Sequence, residues 1–285
     1  MTNELKFIES LRALARDPAA RNLDDDCAVL ELGGETLVVT HDVMAEGTHF
    51  RADADLADVA WKLVAVNLSD LAAKGAQPLG VLLGYSLGEN DARFVEGLGE
   101  ALKAFDVPLL GGDTVRAAGS RHFGLTALGR ATHVPVPDRR KARSGDTVWV
   151  TGVLGRALLG FEGREDHLEA FSRPWPLLAE GRALAPQVGA MMDVSDGLLL
   201  DCWRMACASG VTIELDSAAV PVADPARRDA CLRWGDDYEL LFTLPAETAP
   251  PVAATLIGTV MPRGAAPLII DRAPVPAPDG LGYRH

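Results

Sequence analysis

Six aspartates are the residues of this 285-residue chain whose positions most clearly indicate chemistry. Each lies in or at the end of an apolar run; they are Asp26, Asp42, Asp70, Asp113, Asp193 and Asp196. A carboxylate at the end of a buried strand or helix is costly to desolvate unless a positive charge meets it. No matching set of lysines accompanies the six, which indicates bound cations. Mg²⁺ is favoured because it takes oxygen ligands and commonly serves substrate phosphates. The alternative is that each aspartate caps a helix or forms a turn, which explains any one of them but explains all six poorly.

The segment around Asp193 gives the sharpest of these signals. The sequence Asp193-Val194-Ser195-Asp196-Gly197 places two carboxylates around a hydroxyl after an apolar run. All three side chains are hard oxygen ligands suited to Mg²⁺ or to a triphosphate. The alternative is an Asp or Ser cap for the helix that follows Gly197, which accounts for one of the three.

Gly-containing segments supply weaker signals. In Gly111-Gly112-Asp113 the two glycines allow the backbone to approach a phosphate closely. Asp113 could then bind a metal ion carried by that phosphate. The alternative is that these residues form a tight turn. Residues 151–155, between a strand and a helix, indicate either a phosphate cradle or ordinary strand–helix packing. The acids of residues 235–240, Asp236 among them, precede an apolar strand and alternatively form a solvated turn.

A few basic or imidazole side chains are further candidates. His49 follows Glu46-Gly47-Thr48, although a lone histidine is more often structural than functional. Arg116 and Arg139 are candidate phosphate clamps, because a guanidinium group matches phosphate oxygens. Composition alone does not separate these two from ordinary surface arginines.

The composition describes an acidic protein with a sizeable core. The length suggests about two domains, 48% of residues are hydrophobic, and the formal net charge is -13. That charge argues against a nucleic-acid surface, which needs a basic patch, and it means that bound phosphates require metal ions to screen them. The four cysteines form no CxxC pair, which predicts reduced thiols in a cytoplasmic protein. No apolar run approaches the length of a membrane span, so no membrane partner is expected. The N-terminal segment has no uninterrupted apolar core, so it is not expected to be a signal peptide.

The alternation of short apolar runs with amphipathic stretches predicts an α/β or α+β fold. A Pro-containing connector at 132–138 predicts a boundary between an N-terminal domain, 1–135, and a C-terminal α/β domain, 136–285. On the helix predicted at 55–74, Asn67 and Asp70 lie three residues apart and are therefore neighbours. The other predicted elements are strands at 36–41, 79–86, 122–128, 147–152, 190–194, 211–215, 238–244 and 267–270, and helices at 91–105 and 198–210.

Taken in order, several segments resemble the thiamine-monophosphate kinase family, of the aminoimidazole ribonucleotide synthetase-like superfamily. They span residues 23 to about 244 and are LDDDCAVL, LVVTHDVMAEGTHF, VNLSDLAAKGAQPLG, GGDTVR, VTGVLGRALLG, MMDVSDGLLLD and GDDYELLF. The resemblance implies a two-domain fold whose N-terminal domain dimerises, with its sheets forming a β-barrel across the subunit interface. It also implies the activity: transfer of a phosphoryl group from ATP to thiamine monophosphate, assisted by several Mg²⁺ ions.

The resemblance also implies residue roles. The implied metal ligands are Asp26, Thr40, His41, Asp42, Asp70, Asp113, Asp193 and Asp196. The implied ATP contacts are Gly112, Asp113, Arg139 and Ser195, and the implied substrate contacts are His49 and Asp236. The chain departs from the family pattern at Asp24, where a glycine is usual, at His41, where a Thr or Ser is usual, and at Asp236, where a glutamate is usual. The family's C-terminal aromatic has no clear match; Trp175 and Tyr283 are the candidates.

The expected chemistry needs little general-base help, because a phosphate oxygen of thiamine monophosphate is already a nucleophile at neutral pH. The barrier lies in bringing two anions together in line, which metal ions bridging the phosphates achieve. Two alternatives remain open from the sequence. One is another ATP-using member of the same superfamily, and the other is a nucleotide-binding homologue without catalytic activity.

Overall fold

The computed structural model describes residues 3–116 and 119–283, with side chains from residue 6 onward. After an N-terminal helix, α1, the first part of the chain builds a five-stranded sheet with the strand order β1-β2-β5-β3-β4. Two helices, α2 and α3, complete this part. The bounds are α1 Asn3–Arg12, β1 Ala28–Leu32, β2 Glu35–Ala45, α2 Leu56–Ala73, β3 Ala76–Ser86, α3 Asp91–Ala104, β4 Leu109–Val115 and β5 His122–Ala131.

Helix α2 is the central element of the molecule. The side chain of Asp55 caps its first turn by accepting a hydrogen bond from the Ala57 amide, and the left-handed Gly75 (φ 58°) follows its end. Fifteen of its 18 residues are buried, so the helix has almost no solvent face. It packs against β2, β3 and β5 on one side and against α6 (Leu178–Leu184) and β7 (Met191–Asp193) of the second half on the other. Polar side chains on α2 are therefore placed between the two halves of the chain.

The second half of the chain forms a seven-stranded sheet with the order β12-β11-β8-β10-β6-β9-β7. Helix α7 packs on this sheet over a core that includes Leu199, Met205 and Ile213. The bounds are β6 Thr147–Val150, α4 Arg156–Phe161, α5 Leu168–Ser172, α6 Leu178–Leu184, β7 Met191–Asp193, α7 Leu198–Ser209, β8 Thr212–Leu215, α8 Arg228–Arg233, β9 Leu240–Leu244, β10 Thr255–Met261, β11 Leu268–Ile270 and β12 Ala273–Val275.

The predicted strands and helices lie close to their observed positions, and the alternation fits the observed mixed α/β architecture. Four strands, β1, β4, β10 and β12, were not predicted. The interpretation of Gly111-Gly112-Asp113 as a tight turn is wrong, because these residues lie inside β4. Gly112 is required there by close packing: a Cβ atom would lie 2.0 Å from the Leu83 carbonyl oxygen of β3.

One face of the five-stranded sheet is left open. Helix α2 covers the face that carries Val38 and Thr40, whereas Val43 and Leu82 on the other face are 47% and 39% exposed. The edge strand β4 is exposed along its whole length. Within the described residues this sheet has two edges and is not closed, so a barrel formed with a second subunit stays a prediction.

Candidate metal and phosphate site

Three aspartates from distant parts of the sequence form the centre of the candidate site. Asp26 precedes β1, Asp70 lies on α2 and Asp193 ends β7, and each offers a carboxylate oxygen within 4.8 Å of the others. Asp70 and Asp193 are buried, while Asp26 is exposed. This arrangement places oxygen ligands from both halves of the chain around one point.

Asp42 and Asp196 enlarge this cluster. Burial, followed by the charges of Asp193, Asp26 and Asp196, raises the pKa of Asp42 to about 7. Burial, with the charges of Asp42 and Asp193, raises the pKa of Asp70 well above its ordinary value. Burial and the charge of Asp26 raise the pKa of Asp193 to about 6. The five carboxylates therefore repel one another, and the site has a deficit of positive charge.

Neutral hydrogen-bonding groups hold these carboxylates in place. Thr40 Oγ1 donates to Asp70, and Ser69 Oγ donates to Asp193 at 2.6 Å. Asn67, fully buried on α2, accepts a hydrogen bond from the Asp42 amide at 3.1 Å. These contacts fix the site without supplying charge, as expected where cations are to bind.

Arginine side chains contact two members of the cluster. Arg139 contacts Asp26, and its Nε lies 3.6 Å from Asp25. Arg204 contacts Asp196 and lies 3.4 Å from the fully buried Asp201. The carboxylate of Asp201 in turn accepts hydrogen bonds from the amides of Ser195 and Asp196, 3.2 Å each, which fixes the turn after β7.

Asp236 and Ser195 lie next to each other beside this turn. The Asp236 amide donates to the Ser195 carbonyl at 2.9 Å. The Asp236 carboxylate accepts from Lys62 Nζ at 2.8 Å and from the Tyr238 hydroxyl at 2.9 Å. Lys62 is 4% exposed and lies on α2, so this ion pair joins the two halves of the chain.

His49 lies just beyond β2, which carries Asp42. Its Nδ1 accepts a hydrogen bond from the Ala45 amide at 3.1 Å. In the neutral ring the proton therefore lies on Nε2, which makes that nitrogen a donor. This tautomer suits contact with an anionic oxygen.

Two predicted metal ligands do not join the cluster within the chain. His41 lies on the open face of the sheet, where Nδ1 is 2.9 Å from Thr126 Oγ1, because side chains alternate along β2 and its neighbour Asp42 faces α2. Asp113 is exposed on the edge strand β4, three strands away from β2. Gly112 lies beside it.

The other sequence candidates have structural partners. The amides of Gly155 and Ala157 donate to the Asp237 carboxylate at 2.7 and 3.2 Å, so the proposed phosphate cradle at 151–155 is filled by the protein itself. Trp175 packs edge-on against Phe105, with ring centroids 5.0 Å apart, whereas the Tyr283 amide donates to the Asp196 carbonyl at 2.9 Å. Of the two aromatic candidates, Tyr283 is therefore the one beside the cluster.

Several residues at the site were not predicted as functional. They are Asp25, Lys62, Ser69, Lys74, Asp201 and Arg204. Lys62 and Ser69 share a signal that was available, because they are polar residues on α2, which is otherwise almost entirely apolar; Lys74 directly follows the last residue of that helix. The departure at Asp24 needs no glycine, since its φ of −98° is negative and lies outside the left-handed region.

Family models match both halves of the chain. Residues 24–131 match the AIR synthase related protein N-terminal domain, and residues 143–260 match the AIR synthase related protein C-terminal domain. In the part of the chain that the structure describes, no helix is both long enough and apolar enough to cross a membrane.

Individual relatives agree with this assignment. A thiamine-monophosphate kinase from Salmonella typhimurium is 36% identical over 84% of this chain and 81% of its own length. One from Caulobacter vibrioides is 38% identical over 81% of this chain and 73% of its own length. The solved structure of AaThiL complexed with AMPPCP and TMP superposes with a TM-score of 0.87 at 27% identity, covering 96% of this chain and 95% of that one. The chain belongs to the thiamine-monophosphate kinase family.

Proposed function

We propose that this protein catalyses the ATP-dependent phosphorylation of thiamine monophosphate to thiamine diphosphate. The observation that carries the proposal is the cluster of Asp26, Asp70 and Asp193, whose carboxylate oxygens lie within 4.8 Å of one another in a chain of this family. The names of its relatives and the ligands of the similar AaThiL structure support the same reaction. The function is that of a phosphotransferase whose acceptor is itself a phosphate.

The donor set fits several Mg²⁺ ions. The side chains are carboxylates and a hydroxyl, which are the hard oxygen ligands that Mg²⁺ takes. Burial first, and then the charges of neighbouring carboxylates such as Asp26, raise the pKa values of Asp42 and Asp193, and bound cations relieve that repulsion. The residues proposed to hold the ions are Asp26, Thr40, Asp42, Asp70, Asp193 and Asp196. When bound, such ions neutralise the phosphates and align them for in-line transfer.

The protein's own part in the reaction is to bind and orient the two phosphates. Gly112, Asp113, Arg139 and Ser195 are the proposed ATP contacts. His49 is proposed to donate from Nε2 to the phosphate of thiamine monophosphate, since its Nδ1 is occupied by the Ala45 amide. Asp236, held by Lys62, faces the substrate with a fixed carboxylate, which suits the cationic thiazolium ring.

No covalent intermediate on the protein is needed. The acceptor oxygen of thiamine monophosphate is anionic at neutral pH, so it attacks without a general base. We therefore assign no side chain the role of nucleophile.

The direct test is to measure ADP and thiamine diphosphate formation from ATP with and without thiamine monophosphate. The proposal predicts that both products form only when thiamine monophosphate is present, and in equal amounts. ADP formation that does not depend on thiamine monophosphate would indicate a different ATP-using enzyme. Binding of ATP without any turnover would indicate a non-catalytic homologue.

We further propose that the protein acts as a cytoplasmic homodimer. The open face of the five-stranded sheet, with Val43 and Leu82, and the exposed edge strand β4 are apolar surfaces that a second subunit would cover. Pairing of the two open sheets would form the barrel that the family resemblance implies.

A further inference from the structure

We propose that Arg139 is an internal cation of the site that competes with a metal ion for Asp26, and that this exchange turns its guanidinium group toward the nucleotide. The competition between Arg139 and a metal ion for Asp26 rests on the contacts of this chain, whereas the turn of Arg139 toward ATP rests on the proposed function. Arg139 would then couple the loading of cations to the capture of ATP.

The backbone of Arg139 is fixed to the second half of the chain. It lies in a single 3-10 turn, Arg139–Lys141, which the Asp138 side chain caps by accepting from the Arg140 amide at 2.9 Å. The Arg139 carbonyl accepts from Ser209 Oγ, at the end of α7, at 2.8 Å. Because the backbone is held, a change in partner must occur through rotation of the side chain.

The guanidinium group reaches across to the first half of the chain. It contacts the Asp26 carboxylate, and its Nε lies 3.6 Å from Asp25 Oδ1. Its side chain is 10% exposed, so little water screens these contacts. Arg139 thus bridges two neighbouring carboxylates of one loop.

The two carboxylates differ in what else holds them. The Asp25 side chain is fully buried and contacts Lys74 Nζ at 2.6 Å and Arg21 Nη1 at 2.5 Å. Lys74 and Arg21 are held by Asp25 on the side away from solvent, since its side chain is 0% exposed. Asp25 therefore keeps two cations of its own, whichever partner Asp26 takes.

Asp26, by contrast, can bind either Arg139 or a metal ion. It is exposed, and one of its oxygens belongs to the group with Asp70 and Asp193. A metal ion that takes Asp26 as a ligand weakens its contact with Arg139. Arg139 keeps Asp25 as an anchor, and its freed N–H groups then point to the site, where a phosphate is a matching partner.

This exchange gives a coupling with a definite sign. Without nucleotide, Arg139 lowers the affinity of the cluster for divalent ions, because the ion must displace it. With nucleotide bound, the displaced guanidinium group pairs with a phosphate, so Arg139 lowers the affinity of the cluster for divalent ions by less. By linkage, bound cations must raise nucleotide affinity by the same factor.

The test uses Mn²⁺ as the probe and the full-length protein without nucleotide. Free Mn²⁺ is measured by electron paramagnetic resonance for wild type, Arg139→Gln and Arg140→Gln. Arg140 is the matched control, because it is the next residue in the same turn but pairs with Asp138 and not with the cluster. We expect Arg139→Gln to tighten Mn²⁺ binding about 5-fold, which is the size expected for losing an ion pair with one partly exposed partner, Asp26. Arg140→Gln should change Mn²⁺ binding less than about 2-fold.

A second variant, Arg139→Lys, tests the same proposal if Arg139→Gln does not fold. It keeps the charge, but a single ammonium group does not bridge Asp25 and Asp26 as a guanidinium group does, so Mn²⁺ binding should tighten by a smaller factor. Mn²⁺ binding that is unchanged or weaker than wild type in a folded Arg139 variant, or equally tightened in Arg140→Gln, would overturn the proposal.

The nucleotide part is tested separately with a non-hydrolysable ATP analogue. The analogue should raise the Mn²⁺ affinity of wild type by a larger factor than that of Arg139→Gln. An equal factor in both proteins would reject the coupling while leaving the competition for Asp26 intact. Absence of any analogue binding to wild type would instead contradict the proposed function.

Discussion

At the scale of single residues, the site is defined by negative charge that Arg139 and Arg204 balance only in part. Asp42, Asp70 and Asp193 all have raised pKa values, caused first by burial and then by neighbouring carboxylates, of which Asp26 acts on all three. A protein selected for stability alone would not bury such a set. The free-energy cost of burying these carboxylates is offset when cations that bind with the substrates neutralise their charge.

The first prediction concerns Asp42, which the proposal places among the metal ligands. Asp42→Asn keeps the shape and removes the charge, so turnover should fall by more than about 10-fold, or ~1.4 kcal/mol in the barrier. Because the variant also removes repulsion, its melting temperature in chelator should be no lower than that of wild type. The matched control is Asp53→Asn, an exposed aspartate paired with Arg51, which should leave the rate unchanged. A variant that retains wild-type turnover would remove Asp42 from the metal site.

The second prediction concerns the choice of acceptor. Free thiamine offers a neutral hydroxyl, whose proton must be removed during attack, and His49 Nδ1 already accepts from the Ala45 amide. The protein should therefore phosphorylate thiamine monophosphate and leave free thiamine unchanged at equal concentration. Comparable rates on both compounds would show that a general base exists, and His49 would be the first residue to re-examine.

At the scale of elements, α2 determines whether the carboxylates meet, and its position depends on close packing against α3. A Cβ atom on Gly97 of α3 would lie 2.2 Å from the Ala57 carbonyl oxygen, whereas one on Gly99 of the same helix would meet no atom within 4 Å. Gly97→Ala should therefore reduce the free energy of unfolding by ~1–3 kcal/mol through overpacking.

The control for this third prediction is Gly99→Ala, which should raise the free energy of unfolding by ~0.5–1 kcal/mol because alanine is the better helix former. Urea unfolding curves of both variants test the pair. Equal effects of the two substitutions would mean that the contact between α3 and the first turn of α2 does not restrain the position of α2.

The sequence predicted the elements that carry the site better than it predicted their contacts. Strand β2, helix α2 and the turn after β7 were placed correctly, because apolar periodicity and Gly or Asp boundaries are local signals. The pairing of Arg139 with Asp26 joins residues 113 positions apart and has no local signal. The strand β4 was missed because Gly111-Gly112 has low strand propensity, and only packing against β3 explains it.

At the scale of the whole molecule, the unbalanced charge predicts how stability depends on pH and metal. The folded-state pKa values of Asp193 and Asp42, about 6 and about 7, are higher than those of an unfolded chain, ~3.9. Such carboxyl groups favour the fold only while protonated, so their contribution is lost as the pH rises through 6 to 7.

The fourth prediction follows from that sign. In chelator, the melting temperature should fall between about pH 5 and about pH 8, and saturating Mg²⁺ should reduce this fall because cations then compensate the ionised carboxylates of the cluster. Calorimetry over this pH range tests it, and Asp42→Asn should show a shallower fall than wild type. A melting temperature that rises with pH in chelator would contradict the pKa assignments.

The fifth prediction concerns assembly, because the open sheet face is a property of the molecule as a whole. Val43 and Leu82 on that face are 47% and 39% exposed, and the adjoining edge strand β4 pairs with β3 on one side and with no strand of the described residues on the other. Light scattering at micromolar concentration should therefore give about twice the 30.2 kDa mass of one chain.

Leu82→Lys places a charge in the middle of the proposed interface and should yield monomers. Val95→Lys is the matched control, because Val95 is 63% exposed on α3, outside the sheet, and this variant should remain a dimer. A wild-type mass near 30.2 kDa, or dissociation by both substitutions alike, would mean that the open sheet face is not the dimer interface.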